Sequence, residues 1–196
     1  MEWKKINRYV IYLISLFIIS LGASLSIKAN LGTSPLICLP YVCSLITNLS
    51  VGIVVFLFTV IFIVIQIALL GRGFEKRQYL QFVVGSVFSF FVDFSLMLVN
   101  SINPVGYISQ FLLLLFSCLV AFGVLLEIQT EVVYLPADGV IVAISQVLKK
   151  EFPKVKPFVD TSMVIIAAIL SVVFAGILFN LDLLPFKFLL IVIISL

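Results

Sequence analysis

The sequence predicts an all-α membrane protein with about six transmembrane helices and two short broken or re-entrant helices, arranged as two inverted repeats of three spans. Three observations predict this fold. The chain of 196 residues is 63% hydrophobic and only 11% charged. Its apolar residues form runs long enough to cross a bilayer, which takes about 20 residues. A segment of the first third also recurs in the last third, and internal repeats are typical of transporters.

The internal repeat aligns residues 22–46 with residues 123–147 at an offset of 101 residues. Without any gap, identical residues coincide at Gly22/Gly123, Leu25/Leu126, Ile27/Ile128, Pro35/Pro136 and Ser44/Ser145. A long apolar run precedes each copy, so we expect the N-terminal run to be a retained first helix rather than a signal peptide. We therefore divide the chain into a first repeat, 1–100, and a second repeat, 106–196.

Apolar runs predict the helices of each repeat. In the first repeat they lie at about 9–28, 35–46 (short), 51–70 and 80–99. In the second repeat they lie at about 106–126, 136–148 (short), 158–178 and 183–196. The short helices, of about 12 residues, cannot span without tilt or bilayer thinning. The last run stops at the end of the sequence, which leaves open an incomplete helix or a fragment.

Each short helix opens with residues typical of a helix start. Thr33-Ser34-Pro35 places hydroxyl N-cap candidates before a proline in the first turn. The second short helix has Pro136 and Asp138 in its first turn, where the helix dipole favours an acidic residue. We expect irregular backbone just before each start. Such backbone is tolerated at membrane depth only when it is buried in protein or lines a polar cavity.

Loop charges predict that both short helices enter and leave the membrane on the same side. If both short helices spanned, the twelve Lys and Arg residues would divide seven to five between the two sides. If both are re-entrant, ten lie on the N-terminal side and only Lys28 and Lys187 on the other. The positive-inside rule favours the second arrangement, with a cytoplasmic N-terminus. Three spans per repeat then make the second repeat inverted relative to the first.

Polar residues near the irregular backbone before each short helix form the predicted site. Ionisable side chains within hydrocarbon are costly and usually face a bundle interior or a cavity. Asp93 is expected to line the route to a substrate site formed by Lys28, Asn30, Thr33, Ser34, Glu131 and Asp138. Its acidic excess suits a cationic or zwitterionic solute, or a proton relay. The alternative is that these groups, with the nearby Glu127 and Asp160, are interfacial and that Asp138 only caps its helix.

Several function classes find no support in the sequence. There is no His to act as a general base or metal ligand, no Gly-rich phosphate loop and no Gly-x-Ser-x-Gly motif. The basic residues separate hydrophobic runs, which indicates membrane topology rather than a nucleic-acid site. Cys38, Cys43 and Cys118 lie in apolar surroundings and are interpreted as packing residues. We therefore expect no enzyme, cofactor, metal site or nucleic-acid partner.

Three motifs extend this interpretation. They are ANLGTSP at 29–35, Gly85-Ser86 followed by Asp93, and Pro136-x-Asp138-Gly139 followed by Ala143-x-Ser145. Together they resemble the YczE/YyaS/YitT-like bacterial membrane proteins over the chain up to about residue 160. The resemblance implies a bacterial plasma (inner) membrane location and a multi-pass fold with internal duplication.

The leading functional hypothesis is a transporter or permease for a small polar solute, with its site between the two broken helices. The second hypothesis is an accessory or scaffold subunit that supports a partner complex without transporting by itself. Both place the protein in a lipid bilayer. A homodimer or a partner membrane subunit is compatible with either hypothesis.

Overall fold

A computed structural model of the chain describes residues 2–29, 33–104, 106–116 and 118–178, with side chains over 7–29, 33–104, 106–116 and 118–174. Eight α-helices and no strand occur in these ranges. They are α1 (Glu2–Ala29), α2 (Pro35–Thr47), α3 (Val51–Leu70), α4 (Leu80–Leu98), α5 (Tyr107–Phe116), α6 (Leu119–Thr130), α7 (Pro136–Leu148) and α8 (Phe152–Leu178). The predicted last helix, 183–196, lies outside the described residues.

Within the described part of the chain, five stretches are long and apolar enough to cross a membrane, namely Asn7–Ala29, Val51–Gly73, Lys76–Leu98, Tyr107–Thr130 and Phe152–Phe174. Two shorter apolar helices, α2 and α7, accompany them. Large apolar side chains such as Phe90, Met97 and Ile108 are exposed along the helices, as expected where a bundle faces lipid. The predicted all-α membrane fold is therefore confirmed.

Helix boundaries differ from the predicted ones in the second half of the chain. The prediction ends the helix at 126, before the charged Glu127, but α6 continues to Thr130. It can do so because the Glu127 carboxylate accepts a hydrogen bond from the backbone N–H of Leu135 and is not left without a partner. Likewise α8 begins at Phe152 rather than at 158, and so includes Lys156.

Helix α1 lies at the centre of the bundle and packs against α4, α5 and α6. The α1–α6 contact is close because Gly123 has no side chain. A Cβ built there would lie 2.6 Å from Ile19 Cγ1 and 3.1 Å from the carbonyl oxygen of Ser15. The short helices pack away from this contact: α2 lies against α3 and α8, and α7 lies against α3 and α8. Each short helix thus contacts spans of both halves of the chain.

Polar contacts define two ends of the bundle. At one end, here the cavity end, Arg8 pairs with Glu131 at 2.9 Å and Arg77 donates to the Glu131 carbonyl oxygen. At the opposite end, Ser50 donates to Asp93 and Lys28 donates to Asn100. Helix α2 follows Lys28 in the chain and precedes Ser50, so it begins and ends at this opposite end.

Helix α7, in turn, begins and ends at the cavity end. It lies in the chain between Glu131 and Lys149, and both of these residues line the same cavity. Each short helix has 13 residues, starts at a proline and ends at a left-handed residue, Asn48 or Lys149. Both pairs of positions are separated by the 101-residue offset of the repeat. The duplication itself stays a prediction, which this matched geometry supports.

Candidate functional site

A cavity of about 1330 Å³ opens at the cavity end of the bundle. The α6–α7 connection, the loop between α3 and α4 and the start of α8 form its walls. Ten charged side chains line it, five basic and five acidic: Arg8, Arg77, Lys149, Lys150, Lys156, Glu75, Glu127, Glu131, Asp138 and Glu151. Charges of both signs therefore surround a space large enough for a small solute.

The inner part of the cavity is built around Lys156. Its Nζ atom lies 2.6 Å from Asp138 Oδ1 and 3.8 Å from Asp160 Oδ2. Lys156 and Asp160 are one turn apart on α8, whereas Asp138 is in the first turn of α7. Glu127, at the end of α6, lines the same space and is only 6% exposed. Three carboxylates thus accompany one ammonium group.

Ionic and backbone contacts of the α6–α7 connection fix the mouth of the cavity. Glu131 has a left-handed backbone (φ 50°) and caps α6. Its carboxylate accepts from Arg8 and its carbonyl from Arg77. The Tyr12 hydroxyl donates to the carbonyl oxygen of Val133 at 2.9 Å. These contacts give hydrogen-bond partners to backbone carbonyl groups of the irregular α6–α7 connection.

A buried amide pair supports the first turn of α7. Gln66 Nε2 donates to Gln81 Oε1 at 2.8 Å and to the Pro136 carbonyl oxygen at 3.1 Å. Gly139 makes room for the pair, since a Cβ there would lie 2.7 Å from Gln66 Oε1 and 2.7 Å from Gln81 Nε2. Gln66 Oε1 is buried and has no hydrogen-bond partner among the described residues. An acceptor is therefore available next to the cavity wall.

Sequence comparison places the chain in a family. A family model described as "Family of unknown function (DUF6198)" matches residues 6–182. The chain belongs to this family. No curated protein and no solved structure is significantly similar to it. The match does not carry the YczE/YyaS/YitT name, and the DUF6198 assignment is compatible with that resemblance.

The structure of this DUF6198 protein brings together only part of the predicted site. Glu131 and Asp138 both line the cavity. Lys28 lies at the opposite end, where Nζ donates to the carbonyl and side-chain oxygens of Asn100, each at 3.2 Å. Thr33 and Ser34 immediately precede α2, and the Ser34 side chain makes no capping hydrogen bond. Asn30 lies outside the described residues.

Asp93 belongs to α4, and its side chain lies against the start of α3 rather than beside the cavity. Its two carboxylate oxygens accept from Ser50 Oγ at 2.6 Å and from the Gly52 backbone N–H at 2.7 Å. Both donors belong to the N-terminus of α3, where backbone N–H groups lack helical partners and an acidic group is favoured. The contacts of Asp93 are those of a helix cap supplied by a neighbouring helix.

Replacing Asp93 by Ala is expected to lower the free energy of unfolding by about 2 kcal/mol, because two donors at the start of α3 lose a charged acceptor. Asp93→Asn, which keeps one acceptor oxygen, is expected to lose less. Thermal unfolding of the purified protein in detergent measures both variants. Equal stability of Asp93→Ala and wild type would show that the carboxylate does not cap α3.

Several cavity residues of this DUF6198 protein were missed by sequence reasoning. Lys156 was counted as a loop charge, and the pair of Gln66 and Gln81 was not considered. A usable signal existed for the glutamines, since each interrupts an apolar stretch and polar side chains within spans tend to be functional. Arg8 and Arg77 were interpreted only as topology signals.

Proposed function

We propose that this protein is a permease for a small polar solute and that the cavity at the α6–α7 connection is its binding site. The observation that carries the proposal is the concentration of charges of both signs around this cavity in an otherwise apolar bundle. Four of them, Arg8, Arg77, Glu127 and Lys156, belong to candidate spans, where charged groups are costly and usually serve substrate or ion pathways. A solute with polar groups would find matching partners on the cavity wall.

The arrangement of the helices also supports a permease. Polar sites of transporters are commonly formed by interrupted helices at a repeat interface. Here the cavity lies at the interruption between α6 and α7, and α7 packs on α3 of the other half. In the same way α2 of the first half packs on α8 of the second. This exchange of short helices is what a pseudo-twofold relation between inverted repeats predicts.

Transport is tested by osmotic swelling of proteoliposomes in isotonic solutes, including glycine, ethanolamine, glycerol and acetate. We expect at least one solute to enter faster than into protein-free liposomes. Val142→Trp should block this entry, because Val142 lines the cavity. Leu148→Trp is the matched control, since Leu148 lies on the same helix with its side chain exposed. If no solute enters faster, and the protein co-purifies with a stoichiometric subunit, the accessory role replaces the permease.

The proposed location is a bacterial plasma membrane with the cavity end in the cytoplasm. This orientation is supported by the positive-inside rule, because Arg8, Arg77 and Lys149 lie at the cavity end and Lys28 at the other.

Single cysteines at positions 48 and 75, in a background without the native cysteines, test the orientation. A membrane-impermeant maleimide is expected to label Asn48→Cys in intact cells, and Glu75→Cys only after permeabilisation. Both native side chains are exposed, so burial does not limit the reaction. The reverse pattern, with Glu75→Cys labelled in intact cells and Asn48→Cys only after permeabilisation, would contradict a re-entrant α2.

A further inference from the structure

Two residues that line the cavity in the second repeat are charged, whereas the residues at the corresponding positions of the first repeat are apolar. At the 101-residue offset, Asp138 and Lys156 correspond to Ile37 and Val55. Asp138 and Lys156 form an ion pair, whereas Ile37 and Val55 are buried together in an apolar cluster. Because the apolar version packs well, the charged version is not needed to hold a short helix in place.

In the buried pair of Gln66 and Gln81, Gln66 shows the same contrast between a polar residue at one place and an apolar residue at the corresponding place. Gln66 corresponds to Ala167 at the same offset, and Gly139 corresponds to Cys38. Ala167 and Cys38 pack in one buried apolar cluster, whereas Gln66 Oε1 faces Gly139 with no hydrogen-bond partner among the described residues. A buried carbonyl oxygen without a donor is unfavourable, and either a ligand or a water molecule can supply the donor.

Acceptors outnumber donors in this inner part of the cavity. The Glu127 carboxylate is almost fully buried and has the Leu135 N–H as its hydrogen-bond donor. Asp138 forms an ion pair with Lys156, whose ammonium group also lies 3.8 Å from Asp160. Three carboxyl groups thus face one ammonium group, and no cation pairs with Glu127 among the described residues. An ionised carboxylate as buried as that of Glu127 is stable only when a cation pairs with it.

We propose that the cavity recognises its solute by an ammonium group, which binds between Glu127 and Asp138 at the wall where Gly139 lies against the free Oε1 of Gln66. This inference rests on the proposed function and names the chemical class of the solute. Lys156 then moves from Asp138 to Asp160, its second carboxylate, so that each carboxylate has an ammonium group beside it. A net positive charge is thereby added to a cluster with negative excess, and an anionic solute is disfavoured.

The ammonium group can belong to a free solute or to a lipid headgroup, and the choice of lipid separates the two sources. Wild type and variants are placed in nanodiscs of phosphatidylglycerol, which has no ammonium group. Unfolding temperatures are measured with ethanolamine hydrochloride, sodium acetate or sodium chloride at equal ionic strength. A second set of nanodiscs contains phosphatidylethanolamine without added solute.

We expect saturating ethanolamine, but not acetate, to raise the unfolding temperature of wild type by about 3 °C over sodium chloride. The shift should disappear in Glu127→Gln, which keeps an oxygen for Leu135, and weaken in Asp160→Asn. It should persist in Glu151→Gln, a control carboxylate at the cavity that pairs with Lys154. A shift with phosphatidylethanolamine alone supports the ammonium site with a lipid as its source.

Two results would overturn the inference. One is an unchanged ethanolamine shift in Glu127→Gln, and the other is stabilisation by acetate instead of ethanolamine. Either result, combined with solute entry into proteoliposomes, would leave the permease intact and reject only the ammonium site. Absence of any shift together with absence of solute entry would reject both proposals.

Discussion

Replacing Lys156 by Met is expected to lower the free energy of unfolding by about 3 kcal/mol. Removing one partner of a fully buried ion pair typically costs about 3–5 kcal/mol, because the other charge stays buried. Exposure of 41% for the Lys156 side chain and 21% for Asp138 lets water screen this pair, so the expected loss lies at or below the lower end of that range. Met has a similar length and is apolar, so the loss reflects the charge that neutralised Asp138 and Asp160. Urea or thermal unfolding in detergent measures the change.

A double variant isolates the interaction between Asp138 and Lys156. Asp138→Asn combined with Lys156→Met is expected to recover part of the loss, because it removes one of the unpaired carboxylates. Lys154→Met is the matched control: its pair with Glu151 is exposed and contributes less than about 1 kcal/mol. If Lys156→Met were as stable as Lys154→Met, the inner cluster would not be held by Lys156.

Gly123→Leu is expected to destabilise the bundle strongly, with a loss of about 3 kcal/mol or more. Overpacking usually costs about 1–3 kcal/mol when side chains can move. Here part of the obstacle is backbone: a Cβ on Gly123 would lie 3.0 Å from the Ile19 nitrogen and 3.1 Å from the Ser15 oxygen. The two helices would have to separate, which size-exclusion chromatography and thermal unfolding would detect.

A lipid-facing change on the same helix provides the control. Leu125 is 60% exposed, so Leu125→Phe is expected to leave the unfolding temperature nearly unchanged. Comparable stability of Gly123→Leu and Leu125→Phe would mean that α1 and α6 are not in close contact. The difference between the two variants therefore measures the closeness of the central helix pair.

Much of the fold could be predicted because its signals are local. Apolar runs give the spans, and prolines give the starts of α2 and α7. The chain interruptions before α2 and α7 were predicted because the apolar segments of these two helices are too short to span a bilayer. The end of α6 was not predicted, because Glu127 is satisfied by Leu135, eight residues later, and no local pattern indicates that contact.

The site was harder to predict because its contacts join distant segments. Asp138 and Glu131 were identified because they lie beside a break in the chain. Lys156 was missed because the expected helix began at 158, which left it among the loop lysines. In the structure, α8 begins six residues earlier and places Lys156 one turn from Asp160.

The exchange of short helices has a consequence for biosynthesis. Helix α2 completes its packing only on α8, and α3 receives α7, so the first half reaches its final contacts only after the second has been made. Arg8 and Arg77 likewise find their partner at Glu131, 123 and 54 residues later. Contacts of such large sequence separation form slowly. We therefore expect the inserted first half to remain loosely packed, and open to quality-control proteases, until translation of α8 is complete.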